Sequence, residues 1–99
     1  MSSGVSRRIT GAVTGTGALI AVTTVGFRPR RVRILNVTGL ANGEWINTMA
    51  DDSVVKQITA GTMTLETSDG IIPLANGFSI GADTDLNVSA ELIHYVAEE

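Results

Sequence analysis

The sequence predicts an all-β protein: a single-domain β-sandwich with a jelly-roll-like or Greek-key path and eight to nine short strands. Three observations predict it. Turn signals built from Gly, Asn and Asp recur about every 8 to 12 residues. The segments between them alternate apolar and polar residues, the period of a half-buried strand. No stretch carries an amphipathic helical pattern of useful length. At 99 residues the chain makes one domain, and size scaling lets it bury about 64% of its unfolded surface. We divide it into an N-terminal arm over residues 1–8 and a sandwich domain over residues 9–99.

In chain order, Met1 to Ser6 is small and polar and reads as a mobile arm. Arg7 to Val13 is a first strand interrupted by Gly11, and Thr14-Gly15-Thr16-Gly17 is a turn. Ala18 to Val25 is apolar on both faces near its start, which predicts a covered, central strand. Gly26 to Asn47 organises the rest. Pro29 suits a strand's beginning. Val32, Ile34 and Asn36 then share one face, and Arg31, Arg33, Leu35 and Val37 share the other. Asn42-Gly43 is a strong hairpin-turn signal, because both residues tolerate positive φ. Trp45 to Ala50 is a strand end or loop.

Asp51 or Asp52 could cap a helix. The β-like surroundings favour a strand through Val54, Val55 and Ile58 instead. Ala60-Gly61 is a turn, and Met63 and Leu65 alternate with Thr62, Thr64 and Glu66. Ser68-Asp69-Gly70 is a further turn, Ile71 to Leu74 a strand with Pro73 at an edge, and Asn76-Gly77 another turn. Phe78 and Ile80 form a short strand, and Gly81 to Asp85 a loop. Leu86 to Val96 reads as one long closing strand. We expect its Leu86, Leu92, His94 and Val96 face to turn inward, leaving Ile93 and Tyr95 for a neighbouring subunit.

Composition narrows the function. There is no cysteine, so thiolate chemistry, disulfides and cysteine metal sites are excluded. Residues 1–43 hold six arginines and no acid, whereas residues 44–99 hold ten acids and one lysine, Lys56. Either basic and acidic strands neutralise each other within one sheet, or a basic face meets an acidic partner such as a second copy. Arg28, Arg30, Arg31 and Arg33 have one nearby ring, Phe27, and no nucleic-acid motif, so no nucleic-acid partner is expected. Gly11 to Phe27 follows two arginines like a signal or membrane segment, but it is short and rich in Thr and Gly, so neither a membrane partner nor export is expected.

Candidate chemistry is sparse. His94 reads as a packing residue. Ser79 or Ser89 with His94 and Asp83 or Glu91 could be assembled into a triad, but no nucleophile-elbow pattern supports one. Asp83, Asp85 and Asn87 alternate like oxygen ligands of a hard cation. They lack the turn glycine and bidentate Glu of the helical calcium loop, and hydrogen bonding to local backbone is the simpler role. No glycine pattern joins a strand to a helix as a phosphate cradle would. Asn36 and Asn87 stand in glycosylation sequons that carry weight only in a secreted chain. We therefore expect no catalytic residues, no cofactor and no metal site.

Several motifs occur in a suggestive order. Gly26-Phe27-x-Pro29, Val32-x-Ile34-x-Asn36, Trp45 and Met49-Ala50-Asp51 come first. Gly77-Phe78-x-Ile80-Gly81-x-Asp83, Leu86-Asn87 and Tyr95-Val96-Ala97 follow. Over residues 17–97 the chain resembles the small all-β virion proteins of tailed bacteriophages, of the head-decoration or cement kind. The resemblance implies a sandwich or jelly-roll subunit, made in the host cytoplasm and carried on the capsid surface. It would bind the major capsid protein, commonly as a dimer or trimer, and would have no catalytic residues. Arg28, Arg30, Arg31, Arg33, Trp45, Ile93 and Tyr95 are the expected partner-binding residues. The alternative is a carbohydrate- or receptor-binding β-sandwich module of a phage tail or fibre, which would need exposed aromatics.

Overall fold

A computed structural model describes residues 7–99, all β and without a helix. Its strands are β1 (Arg8–Thr14), β2 (Ile20–Val22), β3 (Arg31–Asn36), β4 (Ala41–Ile46), β5 (Ser53–Gln57), β6 (Met63–Leu74), β7 (Gly77–Ile80) and β8 (Leu92–Glu98). All eight form one antiparallel sheet in the order β1-β8-β3-β4-β5-β6-β7-β2. The middle is a meander from β3 to β7, with β2 closing one end and β8 and β1 the other.

That order forces the sheet to curl. Strands β1 and β2 are consecutive in sequence yet lie at opposite edges. In a flat sheet those edges would stand about 34 Å apart, at about 4.8 Å per strand. The link from Thr14 to Ile20 reaches roughly 20 Å when fully extended. The sheet therefore bends into a half-barrel, bringing β7 over β8. There the Phe78 and Tyr95 rings meet edge to face, with centroids 5.3 Å apart.

The concave side holds the core. Val32, Ile34, Trp45, Val54, Ile71, Phe78, Ile80, Ile93 and Ala97 are all buried, joined by Val25, Phe27 and Leu86 from the connections. Burying such side chains stabilises by about 2 kcal/mol each before entropy is charged against it. Trp45 is satisfied as well as buried, because its indole N–H donates to the Ala50 carbonyl at 3.1 Å.

Two glycines explain close approaches. At Gly11 a Cβ would run into the Tyr95 ring, which lies across β1. Gly43 stands inside β4, not in a turn: a Cβ there would meet Leu86 and Val54 at 2.8 Å. The turn falls earlier, over Val37–Leu40, with Leu40 at φ 58.

Other expectations are corrected. The link through Ser68-Asp69-Gly70 bends a single strand, β6, instead of ending one. The β5–β6 register jumps there, setting Ser53 opposite Ile71 but Val54 opposite Glu66. Pro73 lies beyond Ile71, where β6 has left β5 and pairs only with β7. Strand β2 is an edge of three residues, not a central strand, and Leu19 before it is exposed. The closing strand begins at Leu92, because residues 86–91 form turns with Ala90 at φ 66. Its faces are the reverse of those expected. Ile93, Tyr95 and Ala97 point into the core, while His94 is exposed. Of the arm expected over residues 1–8, residues 1–6 lie outside the described residues. Arg8 already pairs with Glu98 in β1.

Candidate interaction surface

The convex side follows from the register. Outward positions align across six strands: Thr10, Val96, Arg33, Glu44, Val55 and Leu65 form one row. A parallel row runs Ala12, His94, Leu35, Asn42, Gln57 and Met63. A shorter one holds Arg8, Glu98, Arg31 and Ile46. The face is thus mixed and mostly uncharged. Met63 and Leu65 are 67% and 60% exposed at one end of it, beside Ile46. Its hollows are shallow. One of 250 Å³ lies among Ile46, Met49, Val55 and Met63. Another of 390 Å³ lies among Thr10, Arg33, Leu35 and His94.

The four expected arginines divide between two places. Arg31 and Arg33 lie on the convex face. Arg31 donates to both Glu44 and Glu98, and its guanidinium pKa is raised, first by the hydrogen bond to Glu44. Arg33 has no carboxylate within salt-bridge distance among the described residues. Arg28 and Arg30 instead border a separate polar hollow of 350 Å³ with Trp45, Asn47, Asp51 and Glu99. At the sheet margin Arg7 hydrogen-bonds Glu99, lies 5.1 Å from the Phe27 ring centroid and holds the Glu99 carboxyl below its ordinary pKa. Strand β8 sits between β1 and β3, and its one carboxylate, Glu98, pairs with both Arg8 and Arg31. Three of the six arginines, Arg7, Arg8 and Arg31, thus pair with Glu99, Glu98 and Glu44 of the acidic half within one sheet.

Trp45, Ile93 and Tyr95 are core residues at 2%, 0% and 8% exposure. Their side chains serve this subunit's own packing, which corrects the expected outward orientation of Ile93 and Tyr95.

A buried polar cluster under the loop between β7 and β8 was only half visible in the sequence. The Lys56 ammonium donates to both Asp83 oxygens at 3.1 and 3.0 Å and to Asp85 at 2.7 Å. Glu66 stands 3.7 Å away. Asp83 also accepts from the N–H groups of Asp85 and Leu86, making the local turn. The alternating aspartates thus surround a lysine side chain. Burial alone would lower the Lys56 pKa. Hydrogen bonds and attraction to Asp85 and Asp83 outweigh it and raise the pKa from 10.5 to about 12.

Asn87 faces away from this pair. Its Oδ1 accepts from the Thr16 and Gly17 N–H groups, and its Nδ2 donates to Ala18 and Gly81 carbonyls. It ties the β1–β2 link to the loop, holding the two margins of the curled sheet. Asn36 does similar work. It accepts from Thr38 and Gly39 and donates to the Asp85 carbonyl and Glu91. Both sequon asparagines are therefore buried and fully engaged.

Comparison with known protein families, curated proteins and solved structures finds no match to this chain.

Proposed function

We propose that the protein is a structural subunit that attaches by its sheet surface to a larger protein shell. The form the motif resemblance suggests is a capsid decoration or cement subunit, self-associated and bound to the major capsid protein on a phage head. We read the curled sheet as a one-sheet version of a sandwich, its β7 end serving as the second layer. The observation that carries the reading is the convex face: six strands wide, mostly uncharged, shallow, with Ile46, Met63 and Leu65 left exposed. Large exposed apolar side chains on a broad, polar-rimmed face fit protein contact. Many copies would multiply a modest affinity per subunit.

The carbohydrate-binding alternative loses support. Sugar sites use exposed rings, and Trp45, Phe27, Phe78 and Tyr95, the four aromatics of the chain, are all buried.

The test is co-sedimentation of the purified protein with empty heads of the phage that carries its gene, with head disruption followed on heating. Saturable binding that raises the disruption temperature is expected. Absence of binding at any protein concentration would reject the reading.

A further inference from the structure

Among the described residues the seven-residue edge of β1 is open, and its hydrogen-bonding parity can be read from its ends. The Glu99 N–H donates to the Arg7 carbonyl at 2.9 Å, and the Gly15 N–H to the Glu91 carbonyl at 2.8 Å. Both pairs continue the β1–β8 register. An antiparallel ladder bonds every second residue. Ile9, Gly11 and Val13 therefore turn their main-chain groups to β8. Arg8, Thr10, Ala12 and Thr14 turn theirs away from it. Among the described residues, no main-chain bond outside the strand ladders reaches those four.

An edge like this is normally guarded by brevity, Pro, Lys or a bulge. The opposite edge, β2, has brevity, with three residues. Strand β1 pairs without interruption for seven residues and holds neither Pro nor Lys.

We propose that β1 pairs antiparallel with β1 of a second copy about a two-fold axis at Gly11. This deepens the self-association in the reading above and does not depend on capsid attachment. The sequence Arg-Ile-Thr-Gly-Ala-Val-Thr is close to self-complementary about its centre. Arg8 would face Thr14 of the other copy, Ile9 Val13, and Thr10 Ala12. The outward-turned residues then fall in four bonded pairs, about eight main-chain hydrogen bonds. Gly11 meets Gly11 at a non-bonded pair, where backbones approach closest. Ile9 and Val13 are half-buried against their own core, and each would be covered by the other copy. A two-fold axis needs a self-complementary patch, and this strand offers one. The two Arg8 side chains end about 20 Å apart, so like charges do not meet. The dimer would carry one continuous sheet and two adjoining convex faces.

Light scattering tests it. Wild type should have twice the 10.3 kDa chain mass, and Ala12→Pro should have the mass of one chain. Proline at position 12 removes an outward N–H without breaking the β8 ladder, so circular dichroism should stay native. A monomeric wild type, or a folded Ala12→Pro that remains dimeric, overturns the proposal. Should that variant not fold, cysteine pairing decides, since the chain has none of its own. Under mild oxidation, Thr10→Cys mixed with Ala12→Cys should crosslink in preference to either alone. Preferential self-crosslinking of one variant, or no crosslinking, overturns the Gly11-centred register. Head co-sedimentation reads attachment separately. A dimer that binds no heads leaves the pairing standing and sinks the capsid role.

Discussion

At the scale of single residues, Lys56 carries the clearest energetic consequence. Its ammonium is enclosed by Asp83 and Asp85. Lys56→Met should cost roughly 3 kcal/mol, because it leaves Asp83 buried without its cation. A denaturant titration at neutral pH checks this. The pH dependence has a definite sign. The folded pKa of about 12 lies above the ordinary 10.5, so the protonated lysine favours the folded state. Its contribution, about 2 kcal/mol, is complete below pH 10.5 and disappears as pH rises through about 12. Wild type should lose stability over that window, whereas Lys56→Met should lose distinctly less. Leu40 makes the opposite case. It is 68% exposed and held at φ 58, a conformation in which the Cβ of any L residue crowds its own backbone. Leu40→Gly should stabilise by about 1 kcal/mol, seen as a melting point a few degrees higher.

At the scale of elements, some strands were legible and others were not. The inward face of β3 was plain because Val32 and Ile34 alternate with two arginines that only solvent or a carboxylate would accept. In the closing strand both faces are apolar, Leu92 and Val96 against Ile93 and Ala97. Alternation could not choose between them, and the turn at Ala90 reset the parity inferred from Leu86. Asn42-Gly43 carries good turn chemistry, but Leu86 and Val54 pack where a Cβ would stand, so tertiary packing overrode the local signal. Gly43→Val should therefore destabilise by more than 2 kcal/mol, well beyond the cost of Gly17→Ala, whose added Cβ meets open space despite the positive φ. Urea midpoints of the two variants check the order. The Lys56–Asp83 pair was hidden for another reason. Its partners are 27 residues apart, and only the fold brings them together.

For the whole molecule, the all-β class was legible from period and turns, but a single curled sheet was not. That depends on β1 and β2 taking opposite edges, which no local pattern encodes. The convex face was legible only through its arginines. Its apolar end, Ile46, Met63 and Leu65, emerges from the register of three strands. On the proposed reading, this face attaches the subunit to a shell. Binding of Leu65→Glu to phage heads, measured beside Thr84→Glu in the exposed loop before β8, tests it most directly. Both positions are exposed, so both variants should fold. Leu65→Glu should weaken binding about tenfold or more, while Thr84→Glu should bind as wild type does. Wild-type affinity in Leu65→Glu, with the loss appearing in Thr84→Glu instead, would contradict it.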